Sequence, residues 1–299
     1  MEQGQAGGSS SASRAPMRRL IVNGDDFGHS REVNAGIIRA HREGVLTSTS
    51  LMVAEPARDE AAALAKENPA LDVGLHLVVC MGRSVLPASK IAPIVDEAGR
   101  FSDYPTLIGM RYFFTPGMRE KLEAEIRAQI ELHLKLIGYL NHIDGHLNFH
   151  VHPAIAPTLI ELAHEYKVPC IRLPAEPVFT TLRISRERAA AKLIEAIIFR
   201  TLSRRARRMA EAQGIRSTHW LFGLHQTHHI SEDYVLGVIE RLPGGLTEMY
   251  FHPAMDIGAT PPTPSSQRET EVLTSVRVRE AIAAREIELT TFREVARTR

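Results

Sequence analysis

Strand-like apolar runs alternate with amphipathic helical stretches along nearly the whole chain, and this alternation limits the fold more than any other feature. Leu20 to Asn23 read as a buried strand, and Ser30 then offers an N-cap for a helix that turns Val33, Ile37 and Ile38 inward until Gly44 closes it. The β-branched run 45–53 follows, then a helix over 57–67 stopped by Asn68-Pro69. In the strand 71–79 every odd position is aliphatic, which sets His76 on the opposite face from Leu75 and Leu77. Further helices are expected over 118–136, 153–166, 186–213, 231–242 and 269–284. Strands are expected over 170–173, 218–224, 246–252 and 288–292. Such β/α order gives a parallel sheet, and at 299 residues a barrel of parallel strands fits in one domain.

Two stretches stand outside the alternation. Residues 1–16 are rich in Gly, Ser and Ala without an apolar core, which reads as a disordered leader ahead of a domain over 17–299. Residues 81–116 form a long excursion punctuated by Pro87, Pro93, Gly99, Pro105, Gly109 and Pro116. Its aromatics, Phe101, Tyr104, Tyr112, Phe113 and Phe114, either line an apolar or sugar-stacking surface or pin the excursion to the core. A Pro-rich loop is expected over 260–266.

Charge and cysteine content exclude several classes of function. Thirty-six Lys and Arg against 35 Asp and Glu give a net charge of +1, so nothing in the balance points to nucleic acid. The two cysteines, Cys80 and Cys170, have no metal-binding spacing and suit a reducing compartment. No run of 18 apolar residues is present, so the expected location is the cytoplasm, with membrane contact at most peripheral to the inner membrane. The cluster Arg200, Arg204, Arg205, Arg207 and Arg208 is either a solvated helix face or a contact for anionic lipid. A homodimer is the default oligomer.

Histidine is the residue in excess, at 14, and with aspartate it recurs at strand ends: Asp25 and Asp26, His76, Asp144 and His146, His225, and His252. Adjacent carboxylates repel, so Asp25-Asp26 is either a solvated turn or a site that holds a cation or shared proton. His142, Asp144 and His146 share one face if their strand continues that far. In a parallel barrel the C-terminal strand ends converge, which favours the site reading for the whole set. Two imidazoles and a carboxylate around an open position suit a catalytic divalent ion. The remaining carboxylate can then act as general base, and a histidine across the site can protonate a leaving amine.

Asn23-Gly24-Asp25-Asp26-Phe27-Gly28, Gly74-Leu75-His76-Leu77, His142-Ile143-Asp144-Gly145-His146 and Phe251-His252-Pro253-Ala254 resemble the motifs of the YdjC-like (ChbG) carbohydrate deacetylases, over roughly residues 18–295. Residues 74–87 and 111–114 are most similar to the hopanoid-biosynthesis branch, HpnK. The resemblance implies an α/β fold of the TIM-barrel type, regular or in a distorted or seven-stranded form, and removal of an N-acetyl group from a sugar. For this branch the sugar is N-acetylglucosamine on a bacteriohopane polyol. Carried over residue by residue, Asp26, His76 and His146 are the metal ligands, Asp25 the general base and His252 the general acid. His150, Asp144 and His225 are expected to orient ligands or touch substrate; alternatively His150 takes the place of His146 as the third ligand. The exchange of roles between Asp25 and Asp26 stays open, as does the choice between zinc and magnesium. Two other readings are a deacetylase of soluble N-acetylated chitooligosaccharides and a non-catalytic sugar- or lipid-binding protein with a structural metal.

Overall fold

In the computed structural model, residues 17–258 and 261–297 are described; the expected leader and part of the expected Pro-rich loop lie outside them. The chain begins β1 (Arg18–Phe27), α1 (Arg31–Glu43), β2 (Ser48–Leu51), α2 (Arg58–Glu67) and β3 (Asp72–Leu77). Next come α3 (Ala88–Ile91), α4 (Pro105–Phe114), α5 (Met118–Ile137), β4 (His142–Gly145), α6 (Ala156–Glu165) and β5 (Cys170–Ile171). The final part holds α7 (Val178–Ile184), α8 (Ala189–Ala212), β6 (Trp220–Phe222), α9 (Glu232–Glu240), β7 (Gly245–Phe251), α10 (Pro264–Thr274), α11 (Val276–Ala284), β8 (Glu288–Leu289) and α12 (Phe292–Arg297).

All strand pairs are parallel, in the order β5-β4-β3-β2-β1-β7-β6, with the short β8 added beside the start of β1. The sheet curls until its edges meet at one point. There Ile171 donates its N–H to the Arg216 carbonyl at 2.9 Å, and Arg216 donates to Pro169 at 2.8 Å, just ahead of β6. The result is a seven-stranded, incompletely closed (β/α) barrel in one α/β domain, the distorted form of the expected architecture.

Period-2 alternation sorts the strand residues. The aliphatic positions of β3, Val73, Leu75 and Leu77, point outward and are buried beneath the helices, while Asp72, Gly74 and His76 face the lumen. At the N-terminal end the lumen is closed by an apolar plug of Ile21, Cys170, Leu246, Phe292 and Val295. Phe292 also stacks on the His142 ring with centroids 3.9 Å apart. Above that plug the lumen is polar. Gly74 leaves room beside His76, and the His142 ring fills it: a Cβ added at Gly74 would stand 2.3 Å from His142 Cε1.

Several boundaries differ from the sequence expectation. The excursion is not wholly irregular, since it carries α3 and α4. Glu125 of α5 fastens it by accepting the N–H groups of Val85 and Leu86, and Tyr112 donates its hydroxyl to the Val79 carbonyl at 2.6 Å. Its aromatics divide between the two expected roles: Phe101 and Tyr112 are buried, whereas Tyr104, Phe113 and Phe114 are exposed. Residues 178–184, between the expected strand 170–173 and helix 186–213, form α7; the single helix expected over 269–284 is two, separated at Ser275, which caps the second. Residues 288–292 yield only a two-residue strand, because Phe292 starts α12 and drops into the plug.

Gly74→Ala must displace a histidine ring wedged against Phe292. Overpacking of this kind costs about 1–3 kcal/mol, so a lower urea midpoint with unchanged slope is expected.

Candidate active site

The site sits at the C-terminal strand ends, and its geometry starts from a defect in β1. Pairing of β1 with β2 shifts register between Gly24 and Phe27, and Asp26 there adopts the left-handed conformation at φ 66°. In a regular strand, neighbours face opposite ways. The irregularity instead lets Asp25 and Asp26 both serve the lumen, and Asp is among the residues that tolerate this conformation.

Asp25 is the deep member of the pair, with a side chain 3% exposed. Arg172, at the end of β5, donates Nη1–H to its Oδ2 and Nη2–H to its Oδ1, both at 2.7 Å, and the Asn23 amide donates to Oδ1 at 2.8 Å. The same guanidinium donates Nε–H to Glu248 Oε1 at 2.7 Å, and its Nη2 lies 2.8 Å from Asp144 Oδ2. Tyr250 lies under the guanidinium, 4.7 Å from ring centroid to Cζ. One arginine therefore joins carboxylates from β1, β4 and β7. Burial opposes charge on Arg172, but Asp144, Asp25 and Glu248 hold it protonated. Burial likewise raises the Asp144 carboxyl, yet Arg172 and His76 pull it well below the usual range. For Glu248 burial outweighs Arg172 and pushes its pKa up to about 7.

Asp26 faces the mouth. Its Oδ1 lies 3.1 Å from both His76 Nε2 and His146 Nδ1, and these ligand atoms all fall within 4.8 Å of one another. His76 is oriented from behind, with Nδ1 2.7 Å from Asp144 Oδ1 and 3.2 Å from Ser50 Oγ. A ring whose rear nitrogen is tied to a carboxylate presents the other nitrogen as a ligand. Burial opposes a charged His76, but Asp144, Asp26 and Asp25 push its pKa up to about 10. Burial also raises Asp26, and His146 and His76 overcome it, holding the carboxyl well below its usual value. Two nitrogens and an oxygen converging where the field so strongly favours positive charge fit a divalent cation.

The strand bearing Asp144 stops at Gly145, so His146 does not continue its face as the sequence allowed. A 3-10 turn, His146–Val151, takes over, with Leu147 and Asn148 both in the left-handed region at φ 53° and 56°. The turn carries His146 to Asp26 and folds His150 back beneath Gly145. His150 Nε2 lies 2.9 Å from the Arg172 carbonyl, and burial pushes its pKa down to about 4. It therefore stands beside the arginine, outside the Asp26–His76–His146 group.

His252 follows β7, on the other side of β1 from His76 and His146. Burial lowers its pKa, with Asp26 and Asp25 acting against that. Its backbone N–H donates to Glu269 Oε2 at 2.5 Å, and its Nδ1 lies 3.9 Å from the same oxygen. Glu269 is itself buried, which pushes its pKa up to about 8. His225 belongs to a different group: its Nδ1 is 3.1 Å from Glu195 Oε2, and its N–H donates to Glu176.

Sequence reasoning missed Arg172, Glu248 and Glu269 as parts of the site. Glu248 was findable by parity, since it alternates with Tyr250 and His252, whereas Arg172 follows a two-residue strand too short to show a pattern. Glu269 comes from α10 and had no strand-end signal. Replacing Arg172 with Met leaves three buried carboxylates without their cation, a class of change that costs about 3–5 kcal/mol, so a marked fall in thermal midpoint is expected by calorimetry.

Residues 19–284 match the family described as YdjC-like protein. A carbohydrate deacetylase of Geobacillus stearothermophilus is 31% identical over 283 residues, covering 93% of this chain and 98% of that protein. A carbohydrate deacetylase of Brevibacillus brevis is 44% identical over 156 residues, a match that spans 52% of this chain and only 59% of the relative's length. Among solved structures, an Enterococcus faecalis protein provisionally described as a cellobiose-phosphate cleavage protein superposes with a TM-score of 0.74 at 26% identity, covering 93% of this chain and 99% of that one. By the extent of the family match and the near full-length relative, the chain belongs to the YdjC-like family.

Proposed function

We propose that this chain is a metal-dependent hydrolase that removes the N-acetyl group from an amino sugar. The observation that carries the reading is the convergence of Asp26, His76 and His146 beside a carboxylate locked by Arg172, with His252 on the opposite flank. The relatives named as carbohydrate deacetylases support the same chemistry.

In this reading Asp26, His76 and His146 hold one divalent ion, zinc suiting two imidazoles and magnesium the oxygen ligand. When bound, the ion polarises the acetyl carbonyl and lowers the pKa of water in the site. Asp25 takes the water's proton: Arg172 and Asn23 fix both of its oxygens, so it is positioned before substrate arrives. His252 gives a proton to the departing amine. Its lowered pKa makes the protonated ring a stronger donor. Asp144 keeps His76 aimed, and His150 and His225 serve the surroundings of the site, not the ion.

The substrate we favour is N-acetylglucosaminyl hopanoid, giving the glucosaminyl lipid. Its support is the similarity of residues 74–87 and 111–114 to the hopanoid-biosynthesis branch, and exposed Tyr104, Phe113 and Phe114 beside that stretch suit an apolar aglycone. A soluble N-acetylated oligosaccharide is the second reading, favoured by the relatives whose names specify only a carbohydrate.

Acetate release from both substrates, measured with and without chelator, tests the proposal. Chelator-sensitive release is expected, faster from the lipid-linked sugar; no release from a folded, metal-loaded protein contradicts it. Asp25→Asn should lower kcat by about 10²- to 10⁴-fold while metal content stays near that of the parent, whereas Asp26→Ala and His76→Ala should lose metal. A binding protein with a structural metal would be indifferent to Asp25→Asn.

A further inference from the structure

The outer face of α8 is anomalous. Its inner face, with Ser203, Ala206 and Ala210 buried, lies toward α6, as a barrel helix should. The opposite face carries Leu193, Ile194, Ile197 and Ile198 into solvent, with Ile194 61% and Ile197 69% exposed. Positions i, i+1, i+4 and i+5 on a solvated helix normally hold charge. Phe179, 70% exposed on the adjoining α7, extends the patch.

The same face turns basic toward its C-terminus. Arg200, Arg204, Arg205 and Arg208 are exposed and have no ion-pair partner among the described residues, while Arg207 is committed to Ser217 and Thr218. Residues 183–208 hold nine Lys or Arg against two Glu, in a chain whose net charge is +1. One of those glutamates, Glu195, is engaged by His225. A second copy of the chain docking through this face would bring two arginine clusters together with almost no acid to receive them. An anionic bilayer supplies both an apolar layer for the isoleucines and phosphates for the arginines.

The patch also adjoins the site. α8 packs against the turn His146–Val151, whose Leu147 is 43% exposed. A chain resting on this face would hold the mouth of the barrel beside the surface it rests on.

We propose that the outer face of α8, with Phe179 at its head, seats this chain on an anionic lipid surface, the aliphatic half entering the interfacial layer and the arginines meeting headgroup phosphates. The inference stands apart from the deacetylase reading, because it needs no turnover.

Sedimentation of the full chain with phosphatidylcholine vesicles, with and without phosphatidylglycerol, tests it. Salt-sensitive pelleting with the anionic vesicles only is expected. Ile194→Asp/Ile197→Asp should weaken the partition by roughly tenfold or more, and Arg200→Glu/Arg204→Glu by a similar factor, from about 1 kcal/mol per arginine and the lost apolar contact. These positions are exposed, so unchanged circular dichroism melts should accompany both losses. Absence of pelleting by the parent chain overturns the proposal, as does pelleting that both variants retain. A parent dimer by light scattering that Ile194→Asp/Ile197→Asp splits, with no vesicle binding, assigns the face to a second copy and overturns it as well.

Discussion

A buried guanidinium ties the two halves of the barrel together. Arg172 reaches from β5 across the lumen to Asp25 on β1, Asp144 on β4 and Glu248 on β7. Removing these ions from water is costly, and only mutual pairing makes the arrangement tolerable. The arrangement also orders the site. Asp25 is held by both oxygens, and Asp144 holds His76, which in turn faces Asp26. Each group at the mouth is thus aimed by one below it.

The barrel is graded along its axis. Ile21, Leu246 and Phe292 close the N-terminal end, the arginine and its carboxylates occupy the middle, and Asp26, His146 and His252 reach the mouth with side chains 17–19% exposed. Charge that would be intolerable among the apolar residues is confined to a layer that compensates itself. Partly exposed groups at the top remain accessible to water and substrate. The two adjacent aspartates can occupy different layers only because the irregularity in β1 turns Asp26 upward.

Much of this was legible from the chain. β/α alternation gave the fold class, and the parity of 71–79 set His76 in the lumen, because both follow from local periodicity. What was not legible depends on partners distant in sequence. Arg172 follows a strand too short to show a pattern, and Glu269 enters from a helix. The turn after Gly145 requires Leu147 to take a left-handed conformation that no local propensity favours. Nor did the histidine excess translate wholly into site chemistry. His142 packs on Phe292, and His133 points Nε2 at the Tyr139 carbonyl with burial pushing its pKa down to about 3, so both serve the interior as neutral rings. Of the five arginines read as one cluster, Arg207 is bonded to Ser217 and Thr218, and the other four have no ion-pair partner among the described residues.

The division of labour between Asp25 and Asp26 depends on where a cation binds. Anomalous diffraction from crystals loaded with zinc or cobalt measures that directly. A single strong peak is expected about 2.0–2.2 Å from Asp26, His76 Nε2 and His146 Nδ1, with Asp25 uncoordinated and still paired to Arg172. A peak bound by His150, or one bridging Asp25 and Asp144 with Arg172 displaced, would contradict the division of labour between the two aspartates.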